Sequence, residues 1–479
     1  MSDRRGYFTA DEVRAAEAEL FTRVPAGMPM RRAAYGLATV VADELRSGTG
    51  GVVGRAVGLL VGSGDNGGDA LWAGSMLARR GVAVTAVLLN PERAHREGLA
   101  ALRAAGGRVV DRLGAVDLVI DGIVGISGRG ALRPAAAEMV AALDVPIVAA
   151  DLPSGVDPDT GAIDGPAVRA AVTVAFGAYK PVHALASSHC GRIVLVPIGL
   201  QLPGPGLAQL DPAAIGAGWP VPRAQDDKYS QGVVGVCAGS AKYPGAGVLS
   251  TGAAVAATAG LVRYVGDDTE VLEKFPEVIA SHTISGAGRV QAWVFGPGAG
   301  TDVAARDRLA QVLATDLPVL VDADGLTLLA AEPALVRGRT APTVLTPHAG
   351  EFARLTGAEL GPDRVAAVRA LADEWQATVL LKGRATVIAA PGEATLVNDA
   401  GGSWAATAGS GDVLSGIIGA LLAAGRPPAW SAAAAARVHA LAANLAAFDG
   451  QPAAAPISAS PLLQHIRPAV RVLRELAGV

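Results

Sequence analysis

The sequence predicts an α/β protein built from two three-layer αβα domains in tandem, each a mostly parallel sheet covered by helices on both faces. Three observations carry that prediction. Short apolar runs alternate with helical patterns through both halves, as βαβ units require. Polar, glycine-bearing segments follow those runs at their carboxyl ends, where open α/β sheets gather their ligands. The alternation lapses once, from Gln201 to Arg223 (QLPGPGLAQLDPAAIGAGWPVPR), where proline and glycine crowd together, and then restarts. The expected division is 1–205 for the first domain, 206–222 for a linker and 223–479 for the second. The linker is expected to pack, because it carries Leu207, Leu210, Ile215 and Trp219.

In order along the chain, Thr9 with Glu12 has the form of a capping box and predicts a helix over 10–20. A second helix is expected near 31–45. The run Ala56 to Val61 reads as a buried strand, followed by the loop Gly62-Ser63-Gly64-Asp65-Asn66-Gly67-Gly68-Asp69 and a helix from Ala70 to Arg80. Strand, glycine-rich loop and helix in that order form a phosphate-cradling context. Strands over 82–89, 116–120 and 146–150 alternate with helices over 91–105 and 135–143. The further strand-end loops are Asp121 to Gly130 (DGIVGISGRG) and Asp151 to Asp157 (DLPSGVD).

The second half predicts strands over 233–238, 292–295, 319–321, 343–345 and 379–381. They lead respectively into Gly239 to Gly247, Gly296 to Gly300, Asp322 to Gly325, Thr346 to Glu351 and Lys382 to Thr386. An alanine-rich helix is expected to reach Leu261, and two more, over 430–448 and 461–476, close the domain. Thr407-Ala408-Gly409-Ser410-Gly411-Asp412 opens an apolar helix from Val413 to Leu422. Small residues admit an anion close to the backbone, the helix end supplies amides, and Asp412 supplies a base. The same segment also suits a plain glycine-rich turn that opens a packed helix.

The 479 residues carry a formal net charge of −4 with 18% charged residues and no Lys/Arg run, so there is no basic footprint for nucleic acid. Two cysteines, Cys190 and Cys237, lie outside any metal-ligand spacing and fit a reducing compartment. The N-terminal Met1-Ser2-Asp3-Arg4-Arg5 is followed by acidic residues, not by an apolar signal core, and no apolar run reaches membrane-spanning length. The expectation is a cytoplasmic protein that acts on small molecules, without nucleic-acid or membrane partners. The oligomeric state stays open, a homo-oligomer included.

The order of these motifs resembles that of the bifunctional nicotinamide-nucleotide repair enzymes, in which an NAD(P)HX epimerase domain of Rossmann-like type precedes an NAD(P)HX dehydratase domain of ribokinase-like fold. In the first half the resemblance rests on Asn66-Gly67-Gly68-Asp69 after a strand. It implies that Asp65, Asn66, Gly67, Gly68 and Asp69, with Gly125, Ile126, Ser127, Gly128, Arg129, Gly130 and Ala131, line the hydrated nucleotide. It further implies that Asp151 touches that nucleotide and that Asn66, Asp121 and Ser154 hold potassium. Those three side chains supply the hard oxygens a monovalent cation prefers. Asp151 is the candidate acid/base group for inverting the hydrated carbon.

In the second half the resemblance rests on Lys228-Tyr229-Ser230-Gln231-Gly232, Pro244-Gly245-Ala246, Thr346-Pro347-His348-Ala349-Gly350-Glu351 and Ala408-Gly409-Ser410-Gly411-Asp412. It implies that Ala246, Gly298, His348 and Asp412 contact the hydrated nucleotide. ADP, the implied phosphoryl donor, would then lie along Lys382, Gly383, Arg384, Ala385 and Thr386 and at Gly411. Magnesium is the expected partner of the transferring phosphate, with Glu351 as an outer carboxylate. Asp412 would accept the proton of the substrate hydroxyl while the Gly409 to Gly411 amides stabilise the phosphoryl group, and elimination of phosphate would restore NADH or NADPH.

The first half departs from the family pattern at three places. Asp65 stands where asparagine is usual, Ala70 where glycine is usual, and Gly125-Ile126-Ser127 replaces Gly-Thr-Gly. Two rival readings follow: a ribokinase-like kinase acting on a vitamin or sugar hydroxyl, and an N-terminal half that binds nucleotide without catalysis.

Overall fold

A computed structural model of the chain describes residues 3–258 and 260–479. Met1 and Ser2, within the segment read for a signal, and Ala259, within the helix expected to reach Leu261, lie outside the described residues. The chain divides into two compact units, one of residues 6–207 and one of residues 3–5 with 208–479.

After a short strand β1 (Arg4–Tyr7), the N-terminal unit contributes β2 (Ala56–Val61), β3 (Ala83–Leu88), β4 (Arg108–Val109), β5 (Leu118–Gly122), β6 (Ile147–Ala150), β7 (Val172–Phe176) and β8 (Arg192–Val196). All seven strands β2–β8 are parallel, in the order β4-β3-β2-β5-β6-β7-β8. The order reverses between β2 and β5, so a crevice opens beyond the carboxyl ends of these two strands. β5, β6 and β7 are buried along their whole length, as the central strands of a sheet covered on both faces are. One face is packed by the helices Met28–Thr49 and Asp65–Arg79 through Leu37, Val41, Leu71 and Leu77. The capping box at Thr9 forms as expected, with the Glu12 amide donating to Thr9 Oγ1 at 3.3 Å and the Thr9 amide to Glu12 Oε2 at 2.7 Å.

The C-terminal unit contains β9 (Leu207–Leu210), whose first residue lies on the other side of the division, and β10 (Val233–Cys237), β11 (Leu261–Val265), β12 (Ile279–Ser281), β13 (Ala292–Phe295), β14 (Val319–Val321), β15 (Thr343–Leu345), β16 (Thr378–Leu381), β17 (Ala385–Ala389) and β18 (Thr395–Asp399). The sheet order is β1-β9-β18-β17-β16-β15-β14-β13-β10-β11-β12. From β12 to β16 neighbours are parallel, while β16, β17 and β18 form an antiparallel meander. Here the order reverses between β10 and β13.

Expectations about elements change at several places. The helix expected from Ala70 begins at Asp65, so Asn66-Gly67-Gly68-Asp69 forms its first turns and not a loop. Leu261, expected at the end of a helix, starts β11, and the helix itself ends at Ala257. Ala385 and Thr386 lie on β17, so the loop after β16 is only Lys382-Gly383-Arg384. The expected linker 206–222 contains β9 and a helix over Pro212–Gly218 capped by Asp211. Its Ala208, Leu210, Ile215 and Trp219 belong to the core of the C-terminal unit. The core places the boundary between 207 and 208, and it claims residues 3–5 as well.

Candidate active sites

In the N-terminal unit the crevice at the β2/β5 reversal is a cavity of about 620 Å³. It is lined by Gly62 to Asn66, Asp69, Ile123 to Arg133, Asp151 and Phe176, among others, with Glu17 entering from the N-terminal helix. Two glycines let its walls close up, Gly62 in the lining and Gly67 behind it. A methyl group at Gly62 would lie 1.8 Å from the Ile123 carbonyl oxygen, and one at Gly67 would lie 2.3 Å from that of Gly62. Only bare backbone lets the β2 and β5 ends and the helix start approach this closely.

Of the residues expected at the substrate, Asp65, Asn66, Asp69, Gly125, Ile126, Ser127, Gly128, Arg129, Gly130, Ala131 and Asp151 all line the cavity. Gly67 and Gly68 do not; they are buried behind the first helical turn. Asp65 stands at the first position of the helix, where the helix dipole favours a negative charge. Ala70 lies outside the cavity in the core, its methyl accommodated by Gly122, at which an added methyl would lie 2.5 Å from Ala70 Cβ.

The three expected cation ligands converge just below the cavity. The Asn66 amide nitrogen donates to the carbonyls of Val124 (3.0 Å) and Ala150 (2.8 Å), which leaves its Oδ1 available. Ser154 Oγ donates to Asp121 Oδ1 at 2.7 Å and accepts from the Val124 amide at 3.1 Å, and the Ser154 amide donates to Asp121 Oδ2 at 2.9 Å. Burial pushes the Asp121 carboxyl up to about 6 against those hydrogen bonds. Among the described residues no cation pairs with it.

Asp151 sits at the end of β6 in a left-handed backbone conformation (φ 67°). That strain is held from three directions. Lys180 Nζ, itself 1% exposed, contacts Asp151 Oδ1 and donates to the Phe176 carbonyl at 2.8 Å. The Phe176 amide donates to Asp151 Oδ1 at 3.0 Å. His183 Nδ1 accepts from the Lys180 amide at 3.0 Å, so its Nε2–H donates to the Asp151 carbonyl at 2.9 Å. Burial, then the Lys180 charge, lowers His183 to about 4 and keeps the ring neutral. Sequence reasoning missed Glu17, Lys180 and His183. The lysine follows β7, a strand outside the predicted series, by four residues.

The C-terminal site forms at the second reversal. Ala246, in the first turn of the helix Pro244–Ala257, meets Gly298 after β13: a methyl at Gly298 would lie 2.8 Å from Ala246 Cβ. The helix Ser410–Ala423 starts at the left-handed Gly409 (φ 82°). Lys382 Nζ pairs with Asp322 Oδ1 at 2.7 Å and reaches Glu351 Oε2 at 3.5 Å, while Asp322 Oδ2 accepts from Ser415 Oγ at 2.8 Å. Gly411 is next to this pair, since a methyl there would lie 3.5 Å from Lys382 Nζ. Glu351 also accepts from the His348 amide at 2.8 Å, and His348 Nδ1 accepts from the Gly350 and Glu351 amides, which closes a capping box with exposed His348 at its edge.

Asp412 is pushed up to about 7 by burial and then by the Asp322 charge, with Lys382 opposing and Asp324 adding. Of the remaining expected residues, Arg384 Nη2 donates to the Gly401 carbonyl at 3.2 Å, and Ala385 and Thr386 are buried in β17. Sequence reasoning noticed Asp322 as a strand-end residue and gave it no role.

A family model described as NAD(P)H-hydrate dehydratase matches residues 234–465, and one described as YjeF-related protein N-terminus matches residues 27–182. The chain is 62% identical over 474 residues to the bifunctional NAD(P)H-hydrate repair enzyme of Mycobacterium leprae, covering 98% of this chain and 100% of that one. It is 39% identical over 499 residues to the enzyme of the same name from Corynebacterium glutamicum, at 87% of each chain. Among solved structures, a ribokinase-like superfamily protein from Enterococcus faecalis superposes with a TM-score of 0.50 at 24% identity, covering 57% of this chain and 98% of that one, a likeness of fold. Two family models in this order, together with relatives matched along nearly the whole length, place the chain in the family of bifunctional NAD(P)H-hydrate repair enzymes, with an epimerase domain followed by a dehydratase domain.

Proposed function

We propose that the N-terminal unit interconverts the R and S epimers of hydrated NADH and NADPH, and that the C-terminal unit dehydrates the S epimer with ADP as phosphoryl donor. The observation that carries the second half is Asp412, held near neutral pH beside the glycine turn that opens its helix. A carboxyl tuned to about 7 serves as a general base where a usual aspartate would be too weak. In this reading it accepts the hydroxyl proton as the terminal phosphoryl group passes from ADP to the hydroxyl oxygen and AMP leaves. The amides of Gly409 to Gly411 face the transferring group. The ring nitrogen then expels phosphate, a proton leaves the adjacent carbon, and the dihydronicotinamide is restored.

Lys382 brings a charge from the expected ADP stretch toward Gly411, held by Asp322, which Ser415 in turn anchors. Arg384 and Gly383 form the turn beside it, with Ala385 and Thr386 supporting it from β17. Ala246, Gly298 and His348 border the substrate side. Glu351 is the outer carboxylate for magnesium, which neutralises phosphate charge when bound. In the N-terminal unit Asp151 is the carboxylate nearest the reacting carbon, with Asp65, Asn66, Asp69 and the loop Gly125 to Ala131 around the nucleotide. Gly67 and Gly68 act through the helix start they permit.

Asn66 Oδ1, Asp121 and Ser154 Oγ suit potassium, because Asp121 is a buried carboxylate with no cation against it among the described residues. Potassium there would stabilise the charge and hold the β5 and β6 loop ends together. The buried thiols of Cys190 and Cys237 agree with a cytoplasmic setting. Among the described residues no helix is long and apolar enough to cross a membrane. The reading as a vitamin or sugar kinase is not favoured, since the relatives matched along the whole chain are repair enzymes.

The deciding assay gives purified enzyme an epimer mixture of hydrated NADH with ADP or ATP, with and without potassium. Full recovery of dihydronicotinamide absorbance is expected with ADP and potassium. Enzymatic recovery of the S fraction alone would sink the epimerase half, and a stable phosphorylated vitamin alcohol would revive the kinase.

A further inference from the structure

Asp69 is an anomaly in the N-terminal cavity. It lines the cavity wall yet is only 7% exposed, and among the described residues no hydrogen-bond donor reaches its carboxyl. Every other buried carboxylate of the two sites is held by donors: Asp121 by Ser154, Asp151 by Lys180 and Phe176, Asp322 by Lys382 and Ser415, and Glu351 by His348 and Lys382. A buried carboxyl without donors retains its proton. The groups facing Asp69 agree. Burial, then the charges of Asp151, Asp65 and Glu17, hold the carboxyl well above its usual range, and Lys180 alone opposes them. From the packed helix Arg96–Ala104, the His95 ring sits against Gly68 with its Nδ1 accepting from Gly98, so it offers Asp69 no charge-assisted partner.

We infer that Asp69 is the acid partner of Asp151 in epimerisation, the two carboxyls flanking the hydrated ring from opposite sides of β5. This inference rests on the epimerase reading of the N-terminal unit. Asp69 lies in the second turn of the helix that follows β2, and Asp151 directly follows β6; those strands lie on either side of β5, and both carboxyls line the one cavity.

The step balances without a further reagent than water. Asp69 gives its proton to the departing hydroxyl, the C6–O bond breaks and water leaves, while the ring-nitrogen lone pair forms the C6=N1 bond. A second water adds to the opposite face, its proton passes to the Asp151 carboxylate, and the electron pair returns to nitrogen. The enzyme is left with the two protonation states exchanged, ready for the reverse inversion or for reset by solvent. This is the arrangement of a two-base racemase, and it needs one carboxyl protonated and one ionised at rest. Unpartnered Asp69 and ion-paired Asp151 meet that need.

The test uses the full-length enzyme on hydrated NADH in ¹⁸O-water. The wild type is expected to introduce one solvent oxygen per inversion and to lose epimerase rate as rising pH strips Asp69 of its proton. Asp69→Asn, close in shape to the protonated acid, should lower epimerase kcat by ~10²-fold or more with KM little changed. Its dehydration of the S epimer should stay as in the wild type, and its melting temperature at neutral pH should match or exceed the wild-type value, because the buried carboxyl is gone. Infrared difference spectra of wild type minus variant at neutral pH should show a protonated carboxyl, which tests the resting state even if the variant folds poorly. An Asp69→Asn kcat within about twofold of wild type, retention of the original oxygen, or an ionised carboxylate band overturns the inference alone. A wild type that leaves the R epimer untouched overturns the epimerase reading and this inference with it.

Discussion

Asp412 and Asp151 illustrate two ways of setting a carboxyl for work. Asp412 is tuned by burial and by the neighbouring Asp322 charge, so its folded-state value of about 7 lies above the unfolded one. The linked stability is therefore full below the unfolded value and is lost as pH rises through about 7. Asp412→Asn should abolish dehydration, lowering kcat by ~10²–10⁴-fold, and should melt higher than wild type at pH 8, with the gap narrowing as pH falls toward the unfolded value. Wild-type dehydration should fall as pH drops below about 7, where the base takes up its proton. Asp151 is instead positioned by Lys180, so Lys180→Met should leave a strained, unpaired buried carboxylate. Loss of epimerisation with dehydration intact is the expected readout, and a normal epimerase rate would remove Lys180 from the mechanism. Lys180 was invisible in the sequence because its role depends on a partner 29 positions away and on a strand between them. Asp412 was visible because its glycine turn is contiguous with it.

At the scale of elements, legibility followed burial. The runs Ala292–Phe295, Val319–Val321 and Thr343–Leu345 match the predicted strands residue for residue, since a central parallel strand buried on both faces reads as an uninterrupted apolar run. β8 is only half-buried and begins with exposed Arg192, β4 has two exposed residues, and β9 is hidden among prolines and glycines. None of these has a local signal strong enough to announce it. The helix start at Asp65 was misplaced for a different reason. Gly67 and Gly68 weaken intrinsic helix preference, but close packing against the Gly62 carbonyl requires at least the first of them. Gly62→Ala, with a methyl 1.8 Å from a backbone oxygen, should cost ~1–3 kcal/mol of stability and remove epimerase activity. Chemical denaturation and the epimer assay would show both.

For the whole molecule, the expected domain plan and the observed one differ in who owns residues 206–222. A C-terminal fragment starting at 223 would lack Leu210, Ile215 and Trp219, each buried in that unit's core. At ~1.5–3 kcal/mol per large buried side chain, the loss takes much of the ~5–15 kcal/mol that holds a domain folded. A fragment starting at 206 should therefore melt well above one starting at 223; equal melting temperatures would argue that the segment is dispensable. Residues 3–5 lie with the C-terminal unit although the intervening 6–207 form the other one. On a ribosome adding ~5–20 residues per second, the epimerase sheet is complete once β8 has emerged, whereas β1 must wait for β9 and then β18 before its edge of the sheet exists. The first strand made is among the last to find its place in a finished sheet, and the nascent chain carries it without a neighbour until β9 has emerged.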